Sequence, residues 1–87
     1  MQDNDDFKYV SVMFEDRINS TPENPKFYGK DYLYKTKRTD LQEGQVVDLD
    51  TIYGHSKVVI YRTNIDKAQA YKEANEIGYE LDDLKEI

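Results

Sequence analysis

The fold is decided by the stretch from Lys30 to Arg62, which reads KDYLYKTKRTDLQEGQVVDLDTIYGHSKVVIYR. Three short runs in it are rich in valine, isoleucine and tyrosine: residues 30–36, 45–49 and 56–62. Glycine turns at Gly44 and Gly54 separate these runs. Short runs of this composition, bounded by glycine and aspartate, are typical of strands in a small curved sheet or barrel. Because such domains bind partners more often than they catalyse reactions, the stretch favours a binding role.

A further strand and a helix flank this stretch. Residues 7–14, FKYVSVMF, carry apolar side chains on both faces, which predicts a central strand. After Thr63 the apolar spacing becomes helical, at positions Ile65, Ala68, Tyr71, Ala74 and Ile77, with Ala70 alongside. Thr63 or Asn64 can cap this helix, and Gly78 is placed to end it. We therefore predict an α+β fold, a small curved β-sheet or barrel of four to five strands with one C-terminal helix.

The chain reads as one domain with a short leader. Residues 1–6 are acidic and predict a disordered leader, and residues 7–87 predict a single small domain. Residues 15–26 are polar, contain two prolines, and predict an exposed loop long enough to be functional or mobile. The pattern leaves open whether Leu33 or its neighbouring tyrosines are buried in the second strand, and whether residues 79–87 form helix or strand.

Composition excludes several classes of site. The 87 residues include no cysteine and one histidine, His55, which excludes disulfides, thiolate metal sites and a multi-histidine metal centre within the chain. A domain this small has little room for a deep substrate cavity beside a stable core. We expect neither an enzyme nor a cofactor. No run approaches the roughly 18 apolar residues of a membrane span, and the N-terminus is unlike a signal peptide, so we expect a cytoplasmic protein.

Charge is distributed in blocks along the chain. The net charge is −6, which argues against binding nucleic acid by neutralising phosphates. Residues 26–38 are nevertheless basic, residues 40–54 are acidic, and the tail 73–87 is strongly acidic. The blocks can pair with one another across the fold. Direct nucleic-acid binding through residues 26–38, with tyrosines for base stacking, is therefore the weakest of the functional alternatives.

The segment 30–59 also carries a family-like pattern. It reads Lys30-x-Tyr32-x-Tyr34-Lys35-Thr36, then Leu41-x-x-Gly44-x-Val46-Val47-x-Leu49, then Tyr53-Gly54-x-Ser56-x-x-Val59. This pattern resembles small phage-encoded or mobile-element proteins. The resemblance implies an SH3-like barrel and, for a phage-encoded protein, a place in the host cytosol. It implies no catalytic residue.

Two candidate polar sites have simpler explanations. His55 follows Gly54 in a turn and could act as a base or a recognition residue, but a base alone is not a mechanism, and a turn residue facing water explains it as well. Asp48 and Asp50 share one face of a strand, about 7 Å apart, and could assist a divalent cation. A solvated strand face accounts for both carboxylates, so we expect no metal site.

We predict a non-enzymatic protein-binding module. Its contact surface is expected to combine the loop 15–29 with four residues, Tyr32, Tyr34, Tyr53 and His55, because tyrosine suits interfaces. The alternative is an acidic inhibitor that mimics nucleic acid on a basic host nucleic-acid enzyme. Its candidate residues are Glu73, Glu76, Glu80, Asp82, Asp83 and Glu86. Pairing of an open strand edge with a second copy would give a homodimer.

Overall fold

A computed structural model describes residues 7–51 and 54–87. The strands are β1 (Lys8–Phe14), β2 (Tyr32–Thr36), β3 (Val46–Thr51) and β4 (Gly54–Ile65). They are followed by helix α1 (Lys67–Glu76) and a short 3-10 helix (Leu81–Asp83). The predicted α+β fold, a sheet of four to five strands with one C-terminal helix, is confirmed with four strands in the described residues. The predicted leader, residues 1–6, and the site residue Tyr53 lie outside the described residues.

The four strands form one antiparallel sheet in the order β2-β1-β4-β3. The sheet is open in the described residues, because β2 and β3 lie at opposite edges and do not pair. The SH3-like barrel is therefore not confirmed. Gly44 shows why the turn before β3 needs glycine. Its φ is 90°, and its N–H donates to the carbonyl of Ile60, whose own N–H donates to the carbonyl of Gln45. Gly44 and Gln45 thus form a β-bulge opposite Ile60, at the start of the β3–β4 ladder.

The central strand β1 is buried on both faces, as its sequence predicts. On one face, which we call the helix face, Tyr9 packs with Ala70, Ala74 and Leu84. On the other, the opposite face, a second core is formed by Val12, Leu49, Val58 and Ile60. Leu33 of β2 packs against the first core and Tyr34 against the second. Both alternatives for this strand are therefore partly right, because each face of β2 meets a core.

Helix α1 differs from the prediction in its start and in its buried face. Strand β4 continues to Ile65, which pairs with Tyr9, so neither Thr63 nor Asn64 caps the helix. The cap position is Asp66, whose side chain makes no capping hydrogen bond. Ala70 and Ala74 are buried, whereas Tyr71 and Ile77 are about half exposed. Small side chains face the sheet because Tyr9 already fills the space above β1.

The end of the helix follows the prediction. Gly78 has a φ of 84°, its N–H donates to the carbonyl of Asn75, and the N–H of Tyr79 donates to Ala74. These two bonds form the Schellman motif, in which a left-handed residue terminates the helix. The chain is thereby turned back toward the sheet.

The tail consists of a short 3-10 helix followed by an isolated bridge to β2. Glu80 and Asp83 cap the short 3-10 helix reciprocally, and Leu84 is buried. Beyond it, the N–H of Lys35 donates to Lys85 at 3.0 Å, and the N–H of Ile87 donates to Lys35 at 2.9 Å. Residues 85–87 thus run parallel to β2 and cover the outer edge of that strand.

Candidate protein-binding surface

Antiparallel pairing brings the predicted contact segments to one end of the sheet. Strand β1 runs antiparallel to both β2 and β4, with Val12 opposite Tyr32 and Phe14 opposite Val58. The end of β1 therefore lies beside the beginnings of β2 and β4. The β1–β2 loop, residues 15–31, leaves and returns at the same end.

The β1–β2 loop is fastened to the sheet. Glu15 forms a bridge with Phe27, and the N–H of Asp16 donates to the carbonyl of Lys26 at 2.8 Å. The guanidinium of Arg17 donates to the carbonyl of His55 and to the hydroxyl of Ser56, the latter at 3.3 Å. These contacts fix the path of the polar loop between β1 and β2 and anchor it to β4. The composition of the loop does not reveal these anchors.

A side-chain turn shapes the tip of this loop. The Asp16 carboxylate accepts hydrogen bonds from the backbone N–H of Ile18 and from both the backbone and the side chain of Asn19. The Asn19 side-chain amide is the main reason that the pKa of Asp16 lies below its ordinary value. The turn leaves the Ile18 side chain 92% exposed.

Aromatic side chains gather where the loop rejoins the sheet. The rings of Phe14 and Tyr32 meet edge to face, with centroids 5.6 Å apart. The Lys30 ammonium lies 6.0 Å from the Tyr32 ring centroid, at the limit of a cation–π contact. Tyr28 is anchored by its N–H to the carbonyl of Phe14, and its side chain is 78% exposed, against 48% for Tyr32. We call Phe14, Tyr28, Lys30 and Tyr32 the aromatic end.

The predicted residues Tyr34 and His55 do not join the aromatic end as one surface. Tyr34 shares the face of Tyr32, but its ring packs on the second core, and burial raises its pKa. His55 lies at the same end as Tyr32 but alternates with Ser56, so it points to the helix face. Its Nδ1 atom lies 2.5 Å from the Asp50 carboxylate, and both side chains are well exposed.

The predicted acidic set is distributed between internal contacts and solvent. Glu73 is partly buried and bound by Arg62, and the Glu80 and Asp83 side chains accept each other's backbone N–H. Glu86 is held by a backbone bridge to Lys35. Five residues of the set are exposed: Glu76, Glu80, Asp82, Asp83 and Glu86. Because Glu73, Glu80 and Asp83 also hold hydrogen bonds within the fold, the set is not a uniform row of unengaged carboxylates.

Arg62 is the centre of an ionic cluster that sequence reasoning missed. Its guanidinium donates to both oxygens of Glu73 at 2.8 and 3.0 Å, to Asp31 at 2.9 Å, and to the hydroxyl of Ser11 at 3.1 Å. Gln69 donates a further hydrogen bond to Glu73. The cluster joins α1 and the segment before β2 to the two central strands. The sequence feature that could have indicated it is a pair of polar residues, Ser11 and Arg62, among the apolar residues of two strands.

The cluster favours its charged forms. Hydrogen bonding from Arg62, against a smaller opposing effect of burial, lowers the pKa of Glu73 from its ordinary 4.5. Burial raises the pKa of Asp31, but hydrogen bonds from Ser11 and Arg62 outweigh it and leave the pKa below 3.8. The same carboxylates raise the pKa of Arg62 further above its ordinary value, Glu73 having the larger effect. The cluster consequently joins these elements through charge-assisted hydrogen bonds.

The basic stretch 26–38 is divided between the two ends of β2. Lys30 lies at the aromatic end, whereas the ammonium groups of Lys35 and Lys37 each lie 4.9 Å from the ring centroid of Phe7. Arg38 makes two hydrogen bonds to Asp40, at 2.8 and 3.0 Å. These four cations thus have aromatic or acidic partners within the fold.

Asp48 and Asp50 share one face of β3, as predicted, and pair across the hairpin with Lys57 and His55. Among the described residues, no three histidine, cysteine, aspartate or glutamate side chains are grouped so that they could hold a metal ion. Within residues 7–51 and 54–87, no helix has the length and apolar character that a bilayer crossing requires.

Comparisons with protein-family models, with curated proteins and with solved structures found no match for this chain.

Proposed function

We propose that this protein is a non-enzymatic protein-binding module and that the aromatic end is its contact surface. The observation that carries the proposal is the exposure of Tyr28 and Tyr32, 78% and 48%, beside Phe14 and on a fastened loop. Tyrosine rings supply contact area at low entropic cost and keep a hydroxyl for hydrogen bonding. Because the loop is already ordered by its backbone contacts, binding here costs little additional ordering.

The phage or mobile-element origin, the SH3-like architecture and the place in the host cytosol belong to this proposal as well. Their support is the motif in residues 30–59. The competing proposal, an acidic mimic of nucleic acid, would rest on five exposed residues of the acidic set, since Glu73 is bound by Arg62. They are Glu76, Glu80, Asp82, Asp83 and Glu86.

The test compares three immobilised proteins in a bacterial lysate, read by mass spectrometry along a salt gradient. They are the wild type, Tyr28→Ala/Tyr32→Ala, and the control Tyr61→Ala/Tyr71→Ala, which removes rings that are 54% and 53% exposed elsewhere. We expect a partner that the wild type and the control retain, that survives high salt, and that the aromatic-end variant releases. Circular dichroism verifies that both variants fold.

A partner that the aromatic-end variant still retains would contradict the proposal. If that partner also elutes at moderate salt and is lost from a Glu76→Lys/Asp82→Lys variant, the acidic mimic is the better account. Salt screens the attraction between exposed charges, so binding through them weakens steeply as salt is added.

A further inference from the structure

The two edges of the sheet differ. The outer edge of β2 is occupied by residues 85–87, which exchange backbone hydrogen bonds with Lys35. Among residues 7–51 and 54–87, no strand pairs with the outer side of β3. An edge of this kind presents a row of backbone donors and acceptors that an extended segment can join.

The ladder tells which residues of β3 face outward. Gly44 and Gln45 exchange hydrogen bonds with Ile60, each at 2.8 Å, which fixes the start of the alternation. In antiparallel pairing, hydrogen-bonded and non-hydrogen-bonded pairs alternate. The residues whose backbone groups point away from β4 are therefore Val46, Asp48 and Asp50, which pair with Val59, Lys57 and His55.

The same three residues set the chemistry of the edge. Their side chains share the helix face, where Val46 is 44% exposed and the Asp48 and Asp50 side chains are open to solvent. The partners of these aspartates, Lys57 and His55, lie on β4, one strand farther from the edge. An approaching strand meets the carboxylates first.

We propose that the β3 edge binds an extended basic segment of another protein by strand addition, with Lys or Arg opposite Asp48 and Asp50 and an apolar residue opposite Val46. A second copy of this chain fits less well. The antiparallel register that pairs all three outward residues places Asp48 opposite Asp48 of the copy, and like charges directly opposite are destabilising. This surface is distinct from the aromatic end and does not depend on it.

The test uses the full chain labelled with ¹⁵N and a short acetylated peptide containing Lys-Thr-Lys-Thr-Val. In the antiparallel register its two lysines lie opposite Asp50 and Asp48 and its valine lies opposite Val46. We expect the peptide to shift the amide signals of Val46, Asp48 and Asp50 and to slow their hydrogen exchange, with those of Lys35 and Thr36 unchanged. A peptide N-methylated at the alternate positions that face the edge is the matched control, because it keeps the charge and loses the backbone donors. We expect it to lose the protection.

A second test reverses the charges on the edge and on the peptide together. Asp48→Lys/Asp50→Lys should weaken binding of the Lys-Thr-Lys-Thr-Val peptide by about tenfold or more and should accept a Glu-Thr-Glu-Thr-Val peptide instead. No protection of the edge amides at millimolar peptide, or equal binding of the N-methylated control, would overturn the proposal. The aspartates would then serve only to keep the edge from pairing, a known role of charges on edge strands.

Discussion

At the residue scale, Arg62 holds two partly buried carboxylates together. The Asp31 and Glu73 side chains are 26% and 22% exposed, and each lies within 2.9 Å of the same guanidinium nitrogen. We expect Arg62→Met to lower the free energy of unfolding by about 2 kcal/mol, because removing one partner leaves desolvated charges without a donor. Urea unfolding monitored by circular dichroism measures this change.

Arg38→Met is the matched control for that prediction. Arg38 also binds a carboxylate, that of Asp40 at 2.8 Å, but both side chains are well exposed, 41% and 63%. Ion pairs in such surroundings contribute little, so the urea midpoint should not move measurably. Equal losses from the two substitutions would show that burial of the cluster does not set its strength.

At the element scale, the Gly78 conformation ends α1 and directs the tail. Its φ of 84° suits glycine, and a Cβ added there would meet no atom within 4 Å. Gly78→Ala should therefore cost about 1 kcal/mol of folding free energy through backbone strain alone. Gly78→Asn should cost less, since asparagine tolerates the left-handed region. Thermal unfolding of the two variants compares them, and an equal loss would contradict this explanation.

The tail holds the β2 edge closed by both packing and hydrogen bonds. Leu84 is 5% exposed in the first core, and Ile87 packs against the second. Removing residues 84–87 should lower the free energy of unfolding by about 3 kcal/mol, of which most reflects the lost leucine. It should also expose an unpaired strand and promote self-association.

Sedimentation velocity detects that association. Leu84→Ala is its control, because it removes the packing and leaves the backbone bonds of residues 85–87 to Lys35 in place. If the Leu84→Ala protein associates as strongly as the truncated one, lost stability rather than edge exposure is the cause.

Local pattern predicted the elements better than their faces. The strands and the Gly44 and Gly78 turns depend on nearby residues, so they could be read from sequence. The buried face of α1 could not, because a count of large apolar residues favours Tyr71 and Ile77, whereas the space above Tyr9 admits only Ala70 and Ala74.

At the scale of the whole molecule, long-range pairing decided what the sequence left open. A closed barrel and an open sheet share the same strands and differ in which edges meet. Here Lys35 bonds to residues 85 and 87 instead of to another long strand. Long-range pairing also decides which residues make up the candidate surface. Antiparallel order brought Tyr32 and His55 to one end, but only their register shows that they point to opposite faces.

The loss of stability in acid depends on all the carboxylates of the fold, and the two bound by Arg62 make a specific contribution to it. Because the pKa values of Glu73 and Asp31 are lowered by folding, from 4.5 and 3.8, these groups release protons more readily in the folded protein. Their contribution to stability is therefore fully present above those ordinary values and is lost as the pH falls through the lower folded values.

Glu73→Gln isolates this contribution from the titration of the other carboxylates. Its stability difference from the wild type should be largest above about pH 4.5, the ordinary value for Glu73, and should shrink as the pH falls below it. Urea unfolding across that range measures the difference, with Glu76→Gln on the exposed side of the same helix as control. A difference that stays constant or grows toward low pH would mean that Glu73 stabilises the fold through packing. Because Arg62 remains charged throughout this range, a shrinking difference assigns the effect to protonation of the carboxylate and places its origin in the contact between α1 and β4.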